Sequence, residues 1–173
     1  MPALIGLMRS AAVCGVVTVA ALIASASPAW AQKTVIVVRH AERLDSSTDS
    51  PLSPAGLQRA QALAKAVSRA GVAAIFVTGF QRTQMTAAPL AAQLKLTPIV
   101  MTANTTPPLI ERIRRDHAND VVLIVGHSNT VPEILTQLGA TEPPVTIQDD
   151  EFDSLFILVP RGQAPPSVVR LRY

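Results

Sequence analysis

Two stretches of the chain are apolar without interruption: Val35-Ile36-Val37-Val38 and Val121-Val122-Leu123-Ile124-Val125. A strand with one wet face alternates apolar and polar residues. An unbroken β-branched run is instead buried on both faces, as in a parallel sheet between helical layers. Ala73 to Val77 reads as another strand and Pro98 to Met101 as a short one. Between them the apolar period lengthens to that of a helix. Leu57, Ala60, Leu63, Ala64 and Val67 share a face that excludes Arg59, Lys65 and Arg69, with Ser53-Pro54 as the start signal and Gly71 closing the helix. Further helices are predicted over Arg82 to Leu94, with Pro89 as the site of a bend, and over Leu109 to His117, with Glu111 and Arg115 at i,i+4. Thr130-Val131-Pro132-Glu133 has capping-box spacing for a helix that ends before Gly139. Phe152 to Val159 and Val168 to Tyr173 read as two strands joined by a Gly/Pro loop, a hairpin at the sheet edge. No repeat, low-complexity tract or long linker divides the chain. The expectation is a single-domain α/β three-layer sandwich: a mostly parallel sheet flanked by helices, with a C-terminal edge hairpin.

The first thirty-one residues change the picture. Met1 to Ala31 carries a lone cation, Arg9, then an apolar stretch from Ala11 to about Ala24, then Ser27-Pro28-Ala29-Trp30-Ala31. This is the pattern of a secretory signal with an Ala-x-Ala cleavage site, so residues 1–31 are expected to be removed and residues 32–173 to form the domain, beginning at Gln32. The alternative is an uncleaved anchor, for which the apolar stretch is short of the ~20 residues a span needs. A periplasmic or secreted location follows, and the mature form is not expected to span a membrane. Of 173 residues 49% are hydrophobic and 3% aromatic, and much of the apolar excess lies in this segment. It also holds the single cysteine and the single tryptophan, so the exported domain would have neither disulfide nor thiol chemistry nor cysteine-ligated zinc. Beyond residue 31, 14 Lys+Arg face 12 Asp+Glu. The densest basic group, Arg112, Arg114 and Arg115, reads as a solvated helix face, and nucleic acid is not indicated as a partner.

Chemistry is expected where the buried runs end. Open α/β sheets bind ligands beyond the carboxyl ends of their strands. The first run ends on Arg39-His40-Ala41-Glu42-Arg43 and the other on Gly126-His127-Ser128-Asn129, while Arg82 opens the helix after the turn Gly79-Phe80-Gln81. An unpaired guanidinium at a buried strand end is expensive. Arg39 is either neutralised by Glu42 or an Asp, or waits for an anion. Two arginines and two histidines from three strand ends describe a phosphoryl site: arginine holds phosphate oxygens bidentately, and imidazole can attack phosphorus. His117, between Asp116 and Asn119, reads as a charge at a helix C-terminus.

Arg39-His40-Ala41-Glu42, Leu52-Ser53-Pro54-Ala55-Gly56-Leu57-Gln58-Arg59-Ala60, Arg82-Thr83-Gln84-Met85-Thr86-Ala87 and Gly126-His127-Ser128-Asn129-Thr130-Val131-Pro132 resemble, in this order, the histidine phosphatase superfamily with its phosphoglycerate mutase-like fold. The resemblance covers the whole of residues 32–173. It implies a histidine-type acid phosphatase, a phosphoric monoester hydrolase in which His40 becomes phosphorylated. It further implies that Arg39 and Arg82 hold the phosphoryl oxygens, that His127 donates to the same group, expected as its protonated form, and that no metal or other cofactor is required.

The departures are specific. Mutase-type members carry Gly-Glu-Ser after the nucleophile and long covering segments; here Ala41-Glu42-Arg43 follows, in about 142 mature residues. Phytase-like members have Asp after the second histidine, where this chain has Ser128. The proton donor is therefore open. Glu111 is one candidate, and its other reading is a helix-surface pair with Arg115. Glu42 could orient an active-site arginine. Arg43 is either a third cation for substrate binding or a solvent-facing side chain. In size the chain is similar to the small phosphohistidine-phosphatase-like members. The favoured expectation is an exported phosphomonoesterase acting on a small-molecule or envelope phosphomonoester. A non-hydrolytic phosphate-binding pseudoenzyme of the cell envelope and a mutase are the alternatives.

Overall fold

The computed structural model describes residues 34–140, 145–162 and 164–173; the signal-like segment lies outside them. The elements in chain order are β1 (Thr34–Arg39), α1 (Pro54–Val67), β2 (Val72–Thr78), α2 (Gln81–Leu94), β3 (Ile99–Met101), α3 (Thr106–Asp116), β4 (Val121–Gly126), α4 (Thr130–Gln137), β5 (Ser154–Arg161) and β6 (Ala164–Arg172). They build one six-stranded sheet in the order β3-β2-β4-β1-β5-β6. β1, β2, β3 and β4 pair in parallel, while β5 runs antiparallel to β1 and forms a hairpin with β6.

The layers follow from the order of connections. From β1 to β2 to β3 the chain steps in one direction across the sheet, and from β3 to β4 it steps back. Crossovers between parallel strands are right-handed, so reversing the direction moves the helix to the other face. α1 and α2 accordingly share one face, where Leu63, Val67 and Leu90 meet Ile36, Val38 and Leu123. α3 and α4 cover the other, where Ile113, Ile134 and Leu135 meet Val35, Val37 and Ile124. Adjacent residues of β1 and β4 thus enter opposite cores, which is why neither run could alternate. Removing a side chain such as Leu123, with no exposed surface, would cost about 2–5 kcal/mol. Among the described residues no helix is long and apolar enough to cross a membrane.

Several local expectations are corrected. Leu57 points to solvent, 47% exposed, and Gly56 takes its place on the buried face of α1. A Cβ at Gly56 would lie 2.3 Å from the carbonyl oxygen of Glu42, so the glycine lets the helix press against the chain just beyond His40. α2 forms over Gln81–Leu94 with Pro89 inside it, as expected, whereas α3 starts three residues earlier than expected because its prolines fall in the first turn, where a missing N–H costs nothing. The capping box of α4 does not form. Glu133 accepts from Gln137, and the Thr130 hydroxyl accepts from the backbone N–H of His127 at 2.9 Å. β6 begins at Ala164, taking in two prolines that an edge strand tolerates.

Candidate active site

β1 and β4 are paired in register so that their last residues, Arg39 and Gly126, lie side by side. The next residue of each strand is a histidine. The His40 N–H donates to the Gly126 carbonyl at 2.9 Å, and the two imidazoles meet edge to face with centroids 5.3 Å apart. Gly126 is required by the turn that follows: a Cβ there would sit 2.9 Å from the Thr130 hydroxyl that holds His127. Two strand ends thus place both rings in one cleft.

The backbone presets the tautomer of His40. Its Nδ1 lies 2.8 Å from the Ala41 carbonyl, which can only accept, so Nδ1 carries the proton and Nε2 keeps its lone pair. Burial, opposed by this hydrogen bond and aided by His127, Arg82 and Arg39, pushes the ring's pKa down to about 3. His127 is pushed down to about 4, by burial first and then by Arg82 and Arg39. Both rings are therefore neutral at pH 7, in contrast to the expectation of a protonated His127. Its Nε2 lies 3.2 Å from the Thr78 hydroxyl. A neutral ring that accepts there carries its proton on Nδ1.

Arg39 is 8% exposed, yet no carboxylate bonds it. Its Nη1 donates to the carbonyls of Gln148, Asp149 and Glu151 at 2.8, 3.0 and 3.0 Å, and its guanidinium carbon stacks 4.1 Å from the Phe152 ring centre. Its Nε is buried and unpartnered. Burial lowers its pKa, which the Asp149 carboxylate partly opposes. Arg82 is built on the same plan: Nη1 donates to the Thr48 carbonyl at 2.8 Å, the guanidinium stacks 4.1 Å from the Phe80 ring centre, and Nε is buried without a partner. Backbone oxygens and aromatic faces hold both cations without cancelling their charge. Orphaned donors of this kind are what an incoming oxyanion satisfies. The Thr86 hydroxyl joins the two motifs, accepting from the Ala41 N–H at 2.9 Å and donating to the Arg82 carbonyl at 2.6 Å.

Arg39, His40, Arg82 and His127 line one cleft, and Arg43 stands with them at its exposed side. Glu111 does not. It is exposed on α3 beside Pro107, Arg114 and Gln137, outside the cleft lining, because the helix turns this position to solvent. Nor does Arg115 bond to it; that guanidinium bonds Asp116 instead. Glu42 does not bond an active-site arginine either: Arg59 of α1 donates to it at 2.7 and 2.8 Å, and that hydrogen bonding holds its carboxyl below the usual range despite burial, which opposes it. His117 caps α3 and bonds Asp120 at 2.9 Å. Sequence reasoning missed Phe80, Asn104, Ser128, Asn129 and Asp149, which complete the lining. Ser128 and Asn129 follow His127 directly and were within reach of the pattern; Asp149, far along the chain, carried no such signal. Among the described residues no three His, Cys, Asp or Glu are placed to share a metal ion.

Comparison with known proteins agrees with this geometry. A family model for the histidine phosphatase superfamily (branch 1) matches residues 35–105, the segment with Arg39, His40 and Arg82. A search of curated proteins finds no match. Among solved structures, mycobacterial glucosyl-3-phosphoglycerate phosphatase Rv2419c aligns with TM-score 0.62 and 13% identity, over 82% of this chain and 98% of that one. Its complex with inorganic phosphate aligns at 14% identity over 82% and 96%. The protein histidine phosphatase SixA complexed with tungstate aligns with TM-score 0.64 and 15% identity, over 80% of this chain and 96% of that one. At such identities the structural likeness speaks for the fold, and the family model marks residues 35–105 as similar to the histidine phosphatase superfamily, branch 1.

Proposed function

We propose that this chain is an exported phosphomonoesterase that works through a phosphohistidine on His40. The observation that carries the reading is the His40 ring. An Nδ1 proton tied to a carbonyl and an Nε2 lone pair inside a cationic cleft make a nucleophile already in its reactive form. Nε2 attacks phosphorus, the P–O bond to the leaving alcohol breaks, and the alcohol takes up a proton. The phosphoryl oxygens lie between Arg39 and Arg82, with His127 donating through Nδ1, and Arg43 adds charge on the solvent side. Water then attacks the P–N bond in line, gives up a proton and restores the free ring. The stabilising charge is in place before the reaction, as transition-state stabilisation requires. The fold relatives captured with tungstate and with inorganic phosphate support an oxyanion as the occupant. Neutral rings down to about pH 4 suit an acid phosphatase, and the substrate is a small-molecule or envelope phosphomonoester. Export rests on the apolar stretch and Ala-x-Ala pattern of residues 1–31.

Quenching a steady-state reaction with labelled substrate in alkali tests the mechanism, because a phosphoramidate survives base and is lost in acid. Label is expected on His40 and absent from His40→Ala. Turnover by His40→Ala above roughly a tenth of the wild-type rate would remove the covalent step, since deleting a nucleophile costs orders of magnitude. Sequencing the exported protein is expected to begin at Gln32.

A further inference from the structure

The leaving alcohol needs a proton, and the residues described so far do not supply one. Neutral imidazole is a poor acid. The Nδ1 proton of His40 is spent on Ala41, and Glu42 and Glu111 lie elsewhere. Among the described residues lining the cleft, one carries a carboxyl group: Asp149. Resting on the phosphomonoesterase reading, we propose that Asp149 is the catalytic proton donor to the leaving-group oxygen.

Its backbone is fixed where such a donor would work. The Asp149 carbonyl accepts from Arg39 Nη1 at 3.0 Å, so the residue sits on the guanidinium assigned to the phosphoryl oxygens. The short segment around it is held on both sides. Ile147 is buried in the core under α3 and α4, Glu151 closes a turn onto the Gln148 carbonyl at 3.0 Å, and Phe152 stacks on Arg39. The neighbouring carboxylates are engaged otherwise: Glu151 bonds Ser154 and Arg170, and Asp49 accepts from the Gln81 N–H at 2.7 Å. Asp149 is exposed and lines the cleft, so its side chain is open to solvent there.

The atoms balance. In the reacting form the Asp149 carboxyl carries a proton. As His40 Nε2 bonds to phosphorus and the ester P–O bond breaks, the carboxyl proton moves to the departing oxygen, and the alcohol leaves neutral. The resulting carboxylate takes a proton from the water that attacks the P–N bond, so Asp149 ends protonated and phosphate leaves.

General acid catalysis matters in proportion to how badly the leaving group needs a proton. The test compares 4-nitrophenyl phosphate, whose phenolate leaves unaided, with β-glycerophosphate, whose alkoxide does not. Asp149→Asn keeps the shape and the backbone carbonyl on Arg39. Its kcat is expected to fall on the order of 10²-fold or more on β-glycerophosphate, and only several-fold on 4-nitrophenyl phosphate. Asp149→Glu should recover part of the alkyl activity. Unchanged inorganic phosphate binding by Asp149→Asn would show that the Arg39 site is intact. Equal losses on both esters, or equal gains from removing a negative charge at the cleft, overturn the assignment. So does a wild type active on the aryl ester alone. A wild type that hydrolyses neither ester and takes no label on His40 overturns the phosphatase reading itself.

Discussion

Acid should unfold this protein through its own active site. The perturbation is a shift from pH 7 to pH 4.5. In the unfolded chain His40 and His127 have an ordinary pKa of 6.5, whereas in the fold they lie at about 3 and about 4. Between those values the unfolded state binds protons that the native state refuses. Its proton excess makes stability rise with pH through this window and fall as the pH is lowered from 6.5. At pH 4.5 each unfolded ring is protonated while each native ring is mostly neutral. The free-energy cost is about 2 kcal/mol per ring, at roughly 1.4 kcal/mol for each pH unit of the window. Together the two rings remove a large share of the roughly 5–15 kcal/mol that holds a domain folded. His40→Asn removes one of them and can still donate to the Ala41 carbonyl. Urea denaturation of both proteins at pH 7 and 4.5, in buffers without phosphate, measures the effect, because a bound anion would stabilise the fold separately. The wild type should lose about 2 kcal/mol more than the variant between the two pH values. The carboxylates common to both proteins cancel in that difference. Parallel losses would mean that burial does not hold His40 neutral, and the account of the preset nucleophile would fall with it.

Arg82→Ala should lose on the order of 10²–10³ in kcat, as for one preorganised transition-state donor, with Arg82→Lys recovering only part because an ammonium lacks the fork; a loss below tenfold would place the phosphoryl group elsewhere. Thr86→Val keeps the volume but strips the Ala41 N–H and the Arg82 carbonyl of their shared partner. It should cost about 1–3 kcal/mol, on the order of 4 °C in Tm per kcal/mol; a melting curve unmoved by a degree would refute the link. Phosphatase activity should survive exhaustive chelation, since cationic side chains supply the charge; loss with chelator and return with zinc or magnesium would refute it.

The layered sheet was legible because burial on both faces writes itself directly into local sequence. An apolar run such as Val121 to Val125 has no polar position for solvent to see, and the helices between strands show their period. The positions of Arg39, His40 and His127 were legible for a related reason, since a charged or imidazole side chain at the end of a buried run has little else to do, and Arg82 was legible as the cation opening the helix after the next strand and its turn. What local pattern could not carry was everything set by strand order. β4 inserts between β1 and β2, and only the register of Arg39 against Gly126 brings the two rings to 5.3 Å. Leu57 fitted the helical period but faced solvent, because a close approach to the Glu42 carbonyl selected the smaller Gly56 for the buried side. Glu111 kept its helix and lost its proposed role, since the rotation of α3 against the sheet is a packing outcome. Asp149 and the three carbonyls on Arg39 lie more than a hundred residues from it along the chain. Sequence alone determined which side chains stand at strand ends; the tertiary structure decided which of them share a cleft, because contacts between distant segments depend on topology rather than on neighbours.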